Sequence, residues 1–504
     1  MRVLRHWWAQ FHANRWPSVE GLLARTVTHA VVGLEARRVD VEAHLQRGVP
    51  GFSIVGLADR ACQEAKHRVR SGIASAELEW PMRRITVNLA PAALRKEGSG
   101  FDLPIALSIL AASGQLPRDR LRGHAAVGEL GLDGRLRPVG GVLAVAEAAR
   151  RAGLERLLCA APSGAEASLA GIEPVPVRHL AEAAAYVRGE AEPEPYESPT
   201  DHAPEPRYLD LADVRGQERA RRALEIAAAG GHNLLLAGPP GTGKTMLARR
   251  LPGILPPLDV AEALEVTRIQ SVAGLLDPEQ PLVMVRPFRS PHYSASVAAM
   301  VGGGPGIRPG EVTLAHRGVL MLDELAEFQR PALEALRQPI EDGEVAVARA
   351  AGRAVFPARF QLVATMNLCP CGARGDPAAE CSCSPQRLAA FRDKLSRALL
   401  DRFDLVLAMP RPRAHELAAG PAEPSSAVRV RAESARCRPP AEWAPAAEAL
   451  LDRAVERVPL SGRGRARTRR VGQTLAALAG AQRVETSHVA EALSYRAPRE
   501  LESS

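Results

Sequence analysis

Asn233-Leu-Leu-Leu-Ala-Gly-Pro-Pro-Gly-Thr-Gly-Lys-Thr245 is a short apolar run, a glycine-rich turn and the start of a helix. Gly238, Pro239, Pro240, Gly241, Thr242, Gly243, Lys244 and Thr245, continued by Met246, have phosphate-loop spacing in the strand–turn–helix setting that such a loop requires. The glycines let backbone N–H groups approach and cradle phosphate oxygens, helped by the positive end of the following helix. Lys244 is expected to reach the β- and γ-phosphates of a nucleotide, and Thr245 to ligate Mg2+. A plain glycine-rich turn is the alternative, and both spacing and context disfavour it.

Downstream, the runs Gly318–Leu322, Phe360–Ala364 and Phe403–Ala408 are short, apolar and bounded by turn residues, as strands buried on both faces of a parallel sheet are. Asp323-Glu324 follows one of them. A carboxylate pair at a strand's carboxyl end faces the nucleotide in such sheets. Asp323 is expected to hold the Mg2+, and Glu324 to orient and polarise the attacking water. A helix-starting acidic pair is compatible with this reading. Asn367 ends the next strand, where it could touch the γ-phosphate or be an ordinary turn residue. Arg402, before the last strand, is a candidate for stabilising charge on the transferred phosphoryl group, or a surface ion-pair residue. Their order along the chain makes these weak signals a set.

The amino-terminal half reads as mixed α and β, with strands at Val39–Leu45 and Arg84–Leu89, a helix at Asp102–Ala112 and a hairpin in Gly128–Pro138 turning at Asp133-Gly134. Residues 187–209 are acidic and proline-rich over most of their length, the composition of a linker. Residues 1–23 carry three arginines and three tryptophans without a secretory signal's apolar stretch; they read as a disordered or misassigned start, or as a tail for a membrane surface or nucleic acid. No run of about 18 apolar residues is present, so no membrane span is expected. The net charge of +8 permits a polyanionic partner without identifying one, because only four lysines stand against many arginines.

Cys369, Cys371, Cys381 and Cys383 form two Cys-x-Cys pairs nine residues apart. Four thiolates can close a tetrahedral Zn2+ site; free thiols in a loop are the alternative. Without a secretion signal, a reduced compartment is expected. Cys62, Cys159 and Cys437 read as isolated, buried small hydrophobes.

Taken together, these motifs resemble the AAA+ ATPases, specifically their magnesium-chelatase-like branch. The resemblance rests on Gly216-Gln217, Arg222–Leu236, the phosphate loop through Arg249, Arg289–Ser294, Val301–Gly304, Arg308–Glu311 and Leu314–His316, and on Val32–Glu35, Ile54–Leu57 and Ile85–Pro91 in the amino-terminal half. It implies an α/β fold. A P-loop AAA+ core of parallel sheet and flanking helices (210–415) would carry a carboxy-terminal helical lid (416–504) and follow an α+β domain (24–186) similar to the catalytic domain of Lon proteases, of ribosomal S5 domain 2 type. The resemblance further implies ATP and Mg2+, with Asn367 as sensor 1, Arg402 as the finger supplied to a neighbouring subunit and Arg463 of the lid as a phosphate-contacting sensor 2. An insertion near 290–306 and the hairpin Glu344–Phe356 would face the pore of a homohexameric ring, where Arg349 and Arg353 could meet DNA phosphates or simply be solvated. The arginines at 463, 465, 467, 469 and 470 invite a DNA reading too, but alternate helix positions share no face.

Some positions depart from the family pattern: Tyr293 and Leu368 replace a usual His and Pro, and the lid is about one helix short near 435–447. Gly100 stands where a Lon-type domain carries its nucleophilic Ser, with Ser99 one place away, so proteolysis is disfavoured. The implied function is that of a cytoplasmic, ATP-driven DNA motor for branch migration in recombination. A chelatase-type motor acting on a protein partner is the second reading, and an ATP-dependent protease the third.

Overall fold

The computed structural model describes residues 22–192, 208–304, 307–349, 352–418, 420–457 and 460–496. Residues 1–21 and most of the expected linker (193–207) lie outside them. The chain forms two compact units, residues 1–202 with 267–282, and 203–266 with 283–504. Residues 267–282, which the sequence reading places in the ATPase core, thus group with the first unit.

The first unit is a seven-stranded mixed sheet ordered β3-β4-β2-β1-β5-β8-β9. Its strands are β1 (Leu23–Val32), β2 (Glu35–Gln46), β3 (Gly51–Val55), β4 (Arg84–Ala90), β5 (His124–Ala126), β8 (Arg156–Ala160) and β9 (Glu173–Val177). Alternation in β2 buries Val39, Val41, Ala43 and Leu45, as their period of two requires. Helix α1 spans Arg60–Ser75, and α2 (Asp102–Ala112) is buried along its whole length. Burial of every side makes α2 a core element. Its Asp102 is satisfied by Arg68 at 2.6 and 3.0 Å and by the Leu130 N–H at 3.1 Å. The expected hairpin pairs β6 (Glu129–Leu130) with β7 (Leu136–Arg137), around a turn containing Gly134 at φ 82°. Helix α3 (Val142–Arg151) precedes β8, and α4 (Leu180–Arg188) follows β9. Val187 and Arg188, assigned to the linker from composition, complete α4: Val187 is buried, and Gly189 ends the helix in a left-handed cap at φ 77°.

The second unit has a five-stranded, all-parallel sheet ordered β11-β12-β15-β10-β16. Its strands are β10 (Leu234–Ala237), β11 (Phe288–Arg289), β12 (Val319–Leu322), β15 (Gln361–Met366) and β16 (Leu405–Ala408). Helix α5 (Glu218–Gly230) leads into β10, and α6 (Lys244–Ala248) follows the phosphate loop. Every residue of β10, β12 and β15 is buried, as continuous apolar runs imply for strands covered on both faces. The antiparallel ribbon β13 (Glu344–Arg349) and β14 (Gly352–Pro357) pairs Arg349 with Gly352. The lid holds α7 (Ser425–Arg436), α8 (Pro445–Arg457), α9 (Gly462–Leu478) and α10 (Thr486–Ser494). Between α7 and α8 only the two-residue strand Glu442–Trp443 forms, paired with Arg483–Val484. Among the described residues, no helix is long and apolar enough to cross a membrane.

Candidate nucleotide and metal sites

Parallel strands deliver their carboxyl ends to one edge of the sheet, so β10, β12 and β15 bring three chain segments together there. The loop after β10 is held in shape by its glycines. Gly241 and Gly243 adopt φ of 78° and 87°, the left-handed region. A Cβ on Gly238 would lie 2.4 Å from the Met409 carbonyl oxygen, so only glycine fits.

Lys244 is buried and donates to the carbonyl oxygens of Gly238 and Pro239, both at 2.8 Å, and to Asn367 Oδ1 at 3.2 Å. Burial pushes its pKa down, while Asp323 and Glu324 pull it back up. A buried ammonium group whose partners are all neutral oxygens keeps its charge for an anion, which is what a phosphate site needs. Thr245 Oγ1 donates to Asp323 Oδ1 at 2.9 Å. This hydroxyl–carboxylate pair is a hard-oxygen donor set of the kind Mg2+ prefers. The residues present therefore fit a metal-bound polyphosphate.

Asp323 Oδ1 also accepts from Thr365, whose hydroxyl in turn receives the Glu324 N–H at 3.1 Å. Glu324 itself adopts φ 56°, which for a non-glycine residue is uncommon and concentrates at functional positions. Its exposed carboxylate stands free at the edge where the substrate would lie. Sequence reading missed Thr365, and it also missed the role of Gln217, whose amide holds the Thr242 carbonyl at 3.3 Å and the Pro410 carbonyl at 2.8 Å.

Arg402 and Arg463 are not part of this group. Arg402 is 3% exposed, donates to the carbonyls of Arg337 and Ala398 and pairs with Glu341 at 2.7 Å. Arg463 reaches the same carboxylate at 3.5 Å. One acid, Glu341, thus gathers both candidate arginines, a role with no signal in local sequence. The rest of the lid's arginine run is paired within the unit. Arg465 meets Asp452 at 2.7 Å and Arg467 and Arg470 meet buried Asp404 at 3.3 Å, while Arg469 meets Glu448 and lies over the Trp443 ring at 4.4 Å. These contacts support the reading of a charged lid helix over a DNA stripe. On the ribbon, Arg353 is exposed, and the side chain of Arg349 is outside the described residues.

All four sulfurs of Cys369, Cys371, Cys381 and Cys383 lie within 4.8 Å of one another. The sulfurs of Cys369 and Cys371 are 3.3 Å apart, those of Cys371 and Cys381 3.6 Å, and those of Cys381 and Cys369 3.7 Å. Tetrahedral Zn2+ at about 2.3 Å from each sulfur sets neighbouring sulfurs about 3.8 Å apart, close to the two longer of these separations. The Arg374 N–H donates to Cys369 Sγ at 3.3 Å, a contact that favours a thiolate. Hydrogen bonding from the Ala373 backbone and from neighbouring thiols brings Cys371 down to about 6. The quartet fits a metal ion. Of the isolated cysteines, Cys62 and Cys159 are buried as expected, whereas Cys437 is exposed just past the end of α7.

In the first unit, Ser99 donates to Glu129, and Lys96 Nζ donates to the Pro91 carbonyl. Each is engaged elsewhere, so the Ser–Lys pairing of a proteolytic dyad is not made. A Cβ on Gly100 would press on the Val127 side chain at 3.3 Å, so a serine there would require that side chain to give way.

The family described as magnesium chelatase, subunit ChlI, matches residues 210–417; the subunit ChlI of Mg-chelatase matches 41–163, and the ChlI C-terminal family matches 418–496. The chain is 42% identical to the uncharacterised protein YifB of Escherichia coli, over 93% of this chain and 96% of that protein. It is also 42% identical to competence protein ComM of Haemophilus influenzae, over 94% of this chain and 97% of that protein. A shorter match, 29% identical over 155 residues, links it to Lon protease 2 of Bacillus subtilis, covering 28% of this chain and 26% of that protein.

Proposed function

Because the chain belongs to the ComM/YifB-type branch of the magnesium-chelatase-like AAA+ family, we propose that it is a cytoplasmic ATPase that works as a homohexameric motor on branched or single-stranded DNA. The observation that carries the ATPase reading is the meeting of Lys244, Thr245, Asp323, Glu324 and Asn367 at one sheet edge. Lys244 would bind the β- and γ-phosphate oxygens. Thr245 and Asp323 would hold Mg2+, which supplies charge neutralisation on the phosphates. Glu324 orients and polarises the attacking water, and Asn367 fixes Lys244 and the water's position. Arg402 and Arg463, sharing Glu341, act at the seam between subunits, and Cys369, Cys371, Cys381 and Cys383 bind a structural Zn2+.

The DNA reading is supported by the ComM relative's name as a competence protein and by the exposed Arg353 on the ribbon. Its test is ATP turnover in the presence of single-stranded, duplex and four-way-junction DNA, with a tetrapyrrole-pathway protein as the comparison arm. Stimulation by junction or single-stranded DNA is expected. Stimulation by the protein arm alone would transfer the assignment to a chelatase-type motor.

A further inference from the structure

The cysteine knuckle lies against the nucleotide loop. Leu368 alone separates Asn367, which bonds Lys244, from Cys369. Gly372, between the thiol pairs at φ 80°, packs so closely that a Cβ there would sit 3.0 and 3.1 Å from two ring carbons of Pro240 in the phosphate loop. Asp376, further along the knuckle, pairs with Arg411 at 3.4 Å. Arg411 follows Met409-Pro410, a segment tied to the nucleotide loop at both ends: the Met409 N–H donates to the Ala237 carbonyl at 2.7 Å, and Gln217 bridges Pro410 to Thr242. The Gly238 N–H also donates to the Met366 carbonyl at 3.1 Å, one residue before Asn367. The knuckle therefore meets the site at three places: in chain continuity with Asn367, in contact with Pro240, and through Arg411.

We infer that the Cys369–Cys383 knuckle, closed on Zn2+, positions Asn367 and the phosphate loop, so that metal occupancy and nucleotide binding are energetically coupled. The inference rests on the nucleotide-site reading proposed above. A loop of this length without its metal would have little core of its own, because most of 371–384 is exposed. Loosening it would release Pro240 and Asn367 together. Coupling between two sites is reciprocal, so nucleotide must tighten zinc by the factor that zinc tightens nucleotide.

The test uses the full-length protein with three readouts: bound zinc per chain, affinity for a fluorescent ATP analogue, and kcat and KM resolved separately. Stripping zinc with a chelator, or Cys383→Ser, should weaken the analogue's binding by about tenfold, a typical coupling, and zinc added back to stripped wild type should restore it. Saturating nucleotide should raise the chelator concentration needed to remove zinc by a similar factor. Arg411→Ala keeps all four thiols and breaks only the pair with Asp376, so it should retain zinc while weakening analogue binding, which separates the link to the nucleotide loop from loss of the metal. Zinc-free protein with unchanged analogue affinity and turnover overturns the inference, as does wild type purified without zinc. Wild type that neither binds nor hydrolyses ATP instead removes the ATPase reading, and this inference with it.

Discussion

Glu324 combines an exposed carboxylate with a left-handed backbone and an N–H anchored on Thr365. Strain of this kind persists only where the surroundings over-determine it. Glu324→Gln keeps the shape and removes the charge. It is expected to retain ATP binding while lowering kcat on the order of 100-fold or more, readable by single-turnover hydrolysis; normal turnover would take Glu324 out of the mechanism. Arg402 needs a different test, because its burial gives it a structural task as well. Arg402→Ala leaves Glu341 with Arg463 alone and frees two carbonyls, so the variant should lose about 1–3 kcal/mol of stability in denaturant titrations along with its activity. Activity that reappears on mixing it with Lys244→Ala subunits would mark the finger's action in trans; a mixture as inactive as either parent argues for structure alone. Lys244, Asp323 and Glu324 were legible because chemistry and chain spacing coincide at a strand's end. Thr365 was not: its place beside Asp323 comes from the register of β12 against β15, in which Leu322 faces Ala364, and no local pattern encodes that pairing.

Among the elements, the ribbon β13–β14 alternates buried and exposed side chains. Val345, Val347, Ala354 and Phe356 are buried, and Arg353 and Val355 face outward. An exposed arginine on a ribbon gains little from its own unit, so its contribution should appear in DNA binding. Arg353→Ala is expected to weaken DNA binding uniformly across sequences and to reduce the slope of log K against log salt by roughly 0.7–0.9, the share of one phosphate contact. An unchanged slope would move the DNA contact elsewhere. The lid helix α9 shows the limit of composition as a guide. Five arginines in eight residues resemble a nucleic-acid stripe, yet acids from three other segments meet them, among them Asp404, which is far away in sequence. The length of α4 escaped notice for a related reason: acidic, proline-rich composition describes the stretch that follows, whereas burial of Val187 decides where the helix ends.

Across the whole molecule, stability should decline on the acid side. His29 and His232, one in each unit, are buried, and burial lowers both pKa values to about 4. A base held neutral in the folded chain binds its proton more readily when unfolded. Their contribution is therefore untouched above about pH 6.5 and is lost progressively as pH falls from there towards 4. Between pH 7.5 and 5.0 each histidine should cost on the order of 2 kcal/mol. His29, whose two ring nitrogens have no partner, is the cleaner probe. His29→Leu should flatten the acid limb of the first unit's urea midpoint plotted against pH, and an acid limb as steep as wild type would refute the assignment. The two-part organisation of core and amino-terminal domain was readable from a change in pattern after residue 210. The allegiance of 267–282 was not, because it depends on contacts as distant in sequence as Ser271 with Glu166 and Arg268 with Glu147.

That returning segment means the peptide chain and the folded bodies are partitioned differently. Ser271 also receives the Gly141 N–H on its carbonyl at 3.0 Å, so residues from the later half of the polypeptide complete a structure begun by the earlier half. A protease cut anywhere in 193–207 should accordingly yield two peptides on a denaturing gel that still elute as one particle from a sizing column. Expressing 22–192 by itself should give material prone to aggregation, and supplying the remainder of the chain in the same cell should rescue it.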